Sequence, residues 1–182
     1  MFTRVILTRI QQVVDNQLRK EQAGFRKGRS CTEQIFTLRN IIEQCMEWQA
    51  SLHLHFIDFE KAFDSMHRAI RLYGIPQKII RMTQALYKDF TCSVLHEGNL
   101  TPWFVVETGV KQACMLSPLL FLIALDWVLR ETTSHQRTGI TWKLTSVLED
   151  LDYADDLCLL SSSGAHLNEK TTRLSNNARK LG

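Results

Sequence analysis

Residues 148–160, LEDLDYADDLCLL, place five acids (Glu149, Asp150, Asp152, Asp155 and Asp156) directly before an apolar run that belongs in a core. Two unit charges about 4 Å apart repel by roughly 1 kcal/mol in water, and by several times that near a protein interior. Adjacent carboxylates against a buried strand therefore need something that offsets their repulsion. WKLTSVLEDLDY and LCLL read as two strands meeting at Ala154-Asp155-Asp156, a hairpin.

Other elements follow outward from that hairpin. LHLHFID (52–58) alternates with period two, so it is a strand that ends on Asp58. Residues 2–18 place Phe2, Val5, Ile6, Ile10, Val13, Val14 and Leu18 on one helical face. RKEQAGFRKGR is a basic, Gly-containing loop. Ser30 and Glu33 form a capping box for a helix that buries Ile35, Leu38, Ile42 and Cys45 and ends near Trp48. EKAFDSMHRAIRLYG turns helical with Phe63, Met66, Ile70 and Tyr73 on one side, and Gly74 ends it. Pro76 starts another helix, with Ile79, Ile80, Met82 and Leu86. TCSVLHE and WFVVE flank a Gly98-Asn99 turn. Ser117 caps and Pro118 opens PLLFLIALDWVLRE, a helix apolar on nearly every face and expected to lie buried across a sheet. A final amphipathic helix runs from about 165 to 180. Mostly antiparallel strands packed with helices define an α+β layer fold.

Composition sets broad limits. The 182 residues are 45% hydrophobic and 23% charged, enough for one core, with a net charge of +3. Residues 1–40 hold eight Lys/Arg against three Asp/Glu, a net of +5, so the remainder is −2. A basic front and an acidic back suit a polyanion held at one end and a metal at the other. Five scattered cysteines, odd in number and without a CxxC, argue against both a zinc site and a disulfide framework and point to reduced thiols and an intracellular location, nucleus or cytoplasm. No run reaches ~18 apolar residues, so no membrane partner is expected.

Asp58 closes one strand, and Asp155 and Asp156 occupy a hairpin tip between two others. Neighbouring strands would bring the three carboxylates to one sheet edge. Oxygen ligands of this type suit two hard divalent cations, Mg²⁺ or Mn²⁺, that recruit substrate phosphate. A solvated acidic turn is the plainer reading of the same spacing. His53 and His55 share a strand face but have no third ligand.

FIDFEKAFDSMHR, GVKQACMLSPLLFLIALDWVLR and YADD, in this order, resemble three consecutive palm motifs of reverse transcriptases, most closely those of LINE-type, non-LTR retrotransposons. QAGFRKGRSCTEQI resembles the fingers segment that precedes them. The resemblance implies a partial, mostly helical fingers region over 1–50 and a polymerase palm over 51–182, with no thumb. It implies an RNA-directed DNA polymerase acting on an RNA template, a DNA primer and deoxynucleoside triphosphates. Asp58 and Asp155 would be metal ligands and Asp156 the neighbouring acid. Phe59 would lend its backbone to the triphosphate. Phe63 would be the steric gate beneath the sugar, although its position alone makes it a helix core residue. Lys111 and Gln112 would line the nucleotide pocket, or be plain loop residues. Tyr153 would support the hairpin under the primer end. Arg26, Lys27 and Arg29, beside Phe25, would contact template phosphates, or form a solvated basic loop.

Three features depart from the family pattern. Ala113 stands where the family has Gly, and if that backbone needs positive φ, Ala costs on the order of 1 kcal/mol. HRAIRLYG is shorter than usual by roughly one helical turn. By the family pattern a basic fingers segment would precede residue 1, and a further palm lysine and a thumb would follow Gly182, so the resemblance implies a domain truncated at both ends. These features motivate a second reading, a catalytically silent retrotransposon remnant that binds nucleic acid at most. Oligomeric state has no signature in the sequence.

Overall fold

A computed structural model describes residues 2–59, 73–88, 91–105, 114–134, 137–142 and 146–180. Phe63, Lys111, Gln112 and Ala113, and the part of the shortened segment up to residue 72, lie outside the described residues.

The helices are α1 (Phe2–Asp15), α2 (Cys31–Glu47), α3 (Gln77–Tyr87), α4 (Ser117–Thr133) and α5 (Gly164–Arg179). The strands that position the site are β1 (His53–Ile57), β8 (Asp150–Tyr153) and β9 (Asp156–Ser161). They form one antiparallel sheet in the order β1-β9-β8. Three small pairs complete the strands among the described residues. β2 (Thr91–Cys92) pairs with β5 (Phe104–Val105), β3 (Leu95–His96) with β4 (Asn99–Leu100), and β6 (Ile140–Trp142) with β7 (Ser146–Leu148).

Alternation divides the central sheet into two faces. Ile57, Leu157 and Leu159 join the main core with α1, α4 and α5. Leu54, Leu151, Cys158 and Leu160 join a smaller cluster with Ile41 and Leu38 of α2. Helix α4 is the hub of the main core: Leu120, Ile123, Ala124, Leu125, Val128 and Leu129 are all buried. Full burial of each such leucine or isoleucine contributes about 1.5–3 kcal/mol, which fixes this helix under the sheet.

Several boundaries differ from the sequence expectation. The stripe of α1 is narrower, because Ile6, Ile10, Val14 and Leu18 are buried while Val5 and Val13 are exposed. The Ser30/Glu33 capping box is present. Ile35 and Ile42 of α2, however, point outward, because the helix meets the sheet along Leu38, Ile41 and Cys45. The hairpin expected at Gly98-Asn99 turns instead on Glu97-Gly98, both at positive φ (48° and 80°), and Asn99 opens the return strand. Two positive φ values in a two-residue loop match the twist of the flanking strands. Ser117 is the first residue of α4 rather than its cap, and Leu116 holds the cap position. The single strand expected before the acidic hairpin is split in two: β7 pairs with β6, and β8 pairs with β9.

Candidate nucleotidyl-transfer site

The acidic stretch distributes its charges by strand alternation. On β8, Leu151 and Tyr153 face α2, whereas Asp150 and Asp152 face the main core. Asp150 is 0% and Asp152 1% exposed. Both are held by Arg19, whose Nη1 donates to Asp150 at 2.8 and 2.9 Å and whose Nη2 donates to Asp152 at 2.9 Å. Arg19 also lies 3.3 Å through Nε from Asp126, and its main-chain N–H donates to the same carboxylate at 2.9 Å. Asp126, fully buried on α4, accepts further hydrogen bonds from the Tyr73 hydroxyl and, at 2.7 Å, from Arg130 Nε. Glu149 pairs at 2.6 Å with Lys170, a lysine with 0% exposure.

Three buried carboxylates therefore face two guanidiniums, Arg19 and Arg130. Burial raises the Asp152 pKa well above the ordinary carboxylate range, Arg19 lowers it, and Asp150 and Asp126 raise it further. A proton on Asp152 would bring this cluster to neutrality. Burial lowers the Arg19 pKa, but the three carboxylates together raise it beyond its usual value. Burial likewise raises the Tyr73 hydroxyl, with Asp126 adding to the shift.

Asp155 and Asp156 have the opposite environment. The turn between β8 and β9 is Ala154-Asp155, with Ala154 at φ +57°. Both acids are exposed. The β1–β9 register ends at Ile57 and Leu157; Asp58 and Asp156 are the next residues outward on the two strands, and both line the same groove. Asp156 is paired on its other side with Tyr153. Asp58, Asp156 and Tyr153 thus form one row across the end of the sheet. They border a groove of about 350 Å³ between α2 and the sheet, with Gln34, Ile35, Leu38 and Phe56 along its length.

Among the described residues, no group of three or more His, Cys, Asp or Glu side chains stands ready to hold a metal ion by itself. Asp155 is not among the residues lining the groove that Asp58 and Asp156 share. Two exposed carboxylates lining one groove at the end of a strand pair still fit Mg²⁺ or Mn²⁺. Such ions are usually bound by one or two carboxylates together with waters and substrate phosphates, rather than by an all-protein cage. His53 and His55 point away from this edge, and His55 Nδ1 lies 2.8 Å from the Thr171 hydroxyl.

The basic loop divides its roles. The Arg26 guanidinium is occupied internally: Nε donates to Asp15 at 2.6 Å, Nη1 to the carbonyls of Arg19 and Gln22, and Nη2 to the carbonyl of Asp15. It braces the loop. Lys27 and Arg29 are exposed beside Phe25, which is 60% exposed and at φ +52°. Phe59 is half-buried against the main core, so its side chain anchors the backbone next to Asp58.

Sequence reasoning passed over Arg19, Asp126, Asp150, Asp152 and Lys170. Signals for them existed. Asp150 and Asp152 are two apart and so share a strand face, and Asp126 is the lone acid amid the apolar core of α4.

Comparison with known proteins agrees with this architecture. The chain is 27% identical over 164 residues to the Pol polyprotein of the type-2 retrotransposable element R2DM of Drosophila melanogaster, covering 87% of this chain and 15% of that protein. It is 24% identical to the RNA-directed DNA polymerase from the mobile element jockey of Drosophila funebris, covering 90% of this chain and 18% of that protein. The chain thus spans less than a fifth of the length of these relatives. Among solved structures, apo telomerase from Candida tropicalis superposes with a TM-score of 0.64 at 17% identity, over 97% of this chain and 38% of the telomerase. Telomerase from Candida albicans, in complex with a fragment of telomeric RNA, gives 0.60 at 11% identity, over 98% of this chain and 31% of that one. These likenesses establish the α+β polymerase-palm fold. The family described as reverse transcriptase (RNA-dependent DNA polymerase) matches residues 1–182, and the chain belongs to that family.

Proposed function

We propose that this chain is the core of an RNA-directed DNA polymerase that extends a DNA primer along an RNA template by nucleotidyl transfer. The observation that carries the proposal is the row Asp58–Asp156–Tyr153 at one sheet end, with Asp155 at the adjoining turn. Two divalent cations, when bound, would lower the pKa of the primer 3′-hydroxyl and stabilise charge on the triphosphate and the leaving pyrophosphate. Asp58, Asp155 and Asp156 would hold them. Their exposure leaves space for waters and phosphate oxygens in the same coordination shells.

The remaining roles are positional. Tyr153, next to Asp156, would support the primer end. The backbone at Phe59 would meet the triphosphate. Phe63 would exclude a 2′-hydroxyl, and Lys111 and Gln112 would line the nucleotide site. Exposed Lys27 and Arg29, with Phe25 as a stacking surface, would take the template backbone. Base pairing would select the nucleotide, so the protein contributes orientation and charge stabilisation. The silent-remnant reading gains nothing from these findings, since all three acids are retained and exposed.

The test is primer extension on a DNA-primed RNA template with Mg²⁺ or Mn²⁺, comparing the chain with Asp155→Asn. Extension by the wild-type chain, abolished in the variant, is expected. A folded wild-type chain that adds no nucleotide would overturn the proposal of autonomous activity.

A further inference from the structure

We propose that Arg19 and Gly24, in the loop that runs along the free edge of β8, are positioning residues for the Ala154-Asp155-Asp156 tip, so that cation binding at the tip depends on an anchor beside the sheet. This rests on the assignment of Asp58, Asp155 and Asp156 as the cation site.

The tip has little support of its own. It is a two-residue turn whose first residue, Ala154, is a non-glycine in the left-handed region. Such a backbone conformation is strained for an L-residue with a side chain, and it persists only where its surroundings hold it there. Its outer acids are exposed, so packing alone does not fix them. Contacts from the flanking loop supply the restraint. The Ala23 N–H donates to the Asp152 carbonyl at 3.0 Å, and Gln22 bridges to Asp152 in parallel fashion. Gln34 donates to the Glu21 carbonyl at 2.9 Å and ties the same loop to α2.

Gly24 lies against the turn itself. A Cβ built there would sit 2.1 Å from the Ala154 nitrogen and 2.5 Å from its Cα. Both are backbone atoms that no rotamer change can move aside. The loop and the turn are therefore in direct backbone contact, at a point five residues along the loop from Arg19 and two residues along β8 from Asp152.

Arg19 sets the height of that strand. Its fork reaches Asp150 and Asp152 on β8 and Asp126 on α4, with contacts of 2.8–3.3 Å. Asp126 is in turn fixed by Tyr73 and Arg130. A planar guanidinium bound through several N–H groups restricts orientation as well as distance. The buried helix, the arginine and β8 thus move as one body, and the tip is its free end. A small cation such as Mg²⁺ demands near-ideal coordination geometry. A displacement of about 1 Å at Asp155 or Asp156 therefore registers as lost cation affinity.

Two variants approach the tip by different physics. Arg19→Lys keeps the charge but cannot span three carboxylates. Gly24→Ala removes no charge and pushes the turn directly. The full chain, Arg19→Lys, Gly24→Ala and Asp155→Asn are titrated with Mn²⁺ by electron paramagnetic resonance, at temperatures well below each unfolding transition. Backbone amide exchange is followed in parallel by mass spectrometry. Gly24→Ala and Arg19→Lys are expected to weaken Asp155-dependent Mn²⁺ binding three- to tenfold. Faster exchange should be confined to peptides covering residues 150–157. Wild-type Mn²⁺ affinity and wild-type exchange in both folded variants would overturn the inference alone. A wild-type chain that binds Mn²⁺ no better than Asp155→Asn would overturn the site assignment, and this inference with it. If Arg19→Lys does not fold, Gly24→Ala decides the matter.

Discussion

Replacing Arg19 with methionine keeps a side chain of similar length and removes the charge that three buried carboxylates share. Asp126, Asp150 and Asp152 are each 0–1% exposed, so water cannot take over from the lost guanidinium. Removing one partner of a buried ion pair costs about 3–5 kcal/mol, mainly because it strands the remaining charge. A second guanidinium, Arg130, stays on Asp126, which limits the loss there. Asp150 and Asp152 have no such alternative cation among the described residues, so the full range applies. For a domain of this size each kcal/mol shifts the melting temperature by about 2–4 °C. The expected fall is therefore about 6–20 °C, read by circular dichroism at pH 7. Because Asp152 is the acid pushed toward protonation, Asp152→Asn is expected to recover part of that loss in the double variant, a coupling that a thermodynamic cycle isolates. A fall below about 2 °C for Arg19→Met, or strict additivity with Asp152→Asn, would refute the account of this cluster as a shared-charge clamp.

Other perturbations separate stability from chemistry. Asp152→Asn alone tests the sign of the pKa shift. A raised folded-state pKa gives stability that is fully present below about pH 3.8 and lost as pH rises through the folded value. The melting temperature of Asp152→Asn relative to wild type should hence climb with pH from about 4 upward, and a flat difference contradicts the shift. Asp58→Asn should abolish primer extension yet move the melting temperature by under about 2 °C, since its carboxylate is exposed; a large destabilisation would make it structural. Lys170→Met should cost about 3–5 kcal/mol, because it strands Glu149 and leaves the Leu160 carbonyl without its 2.6 Å donor; unchanged urea unfolding would contradict that. Burial, with Asp150 adding to it, pushes the Cys158 thiol up to about 11, whereas Cys31 is exposed. Iodoacetamide at pH 8 should therefore label Cys31 and spare Cys158 in the native chain, as mass spectrometry would show.

Local patterns in the sequence determined much of this protein. Period-two alternation placed β1, the capping box at Ser30 and Glu33 placed α2, and uniform apolarity placed α4 in the core. These signals are short-range, so neighbouring residues suffice to read them. The order of the palm-like motifs likewise carried the family. What remained undecided was which strand lies beside which, and that depends on contacts across more than a hundred residues. Only the β1-β9-β8 order brings Asp58 and Asp156 to the same sheet end. Only the packing of α4 behind that sheet brings Asp126 to Arg19, and with it the reason that Asp150 and Asp152 are tolerated in a core. Arg26 makes the same point in reverse. Its sequence neighbourhood suggested a template contact, but the fold returns Asp15 and three carbonyls to its reach, and a charged hydrogen bond formed at home outcompetes one awaiting a partner. Strand alternation, which the sequence states, and tertiary packing, which it does not, divided the acids of residues 148–160 into a buried, ion-paired set and an exposed pair at the turn, the proposed cation site.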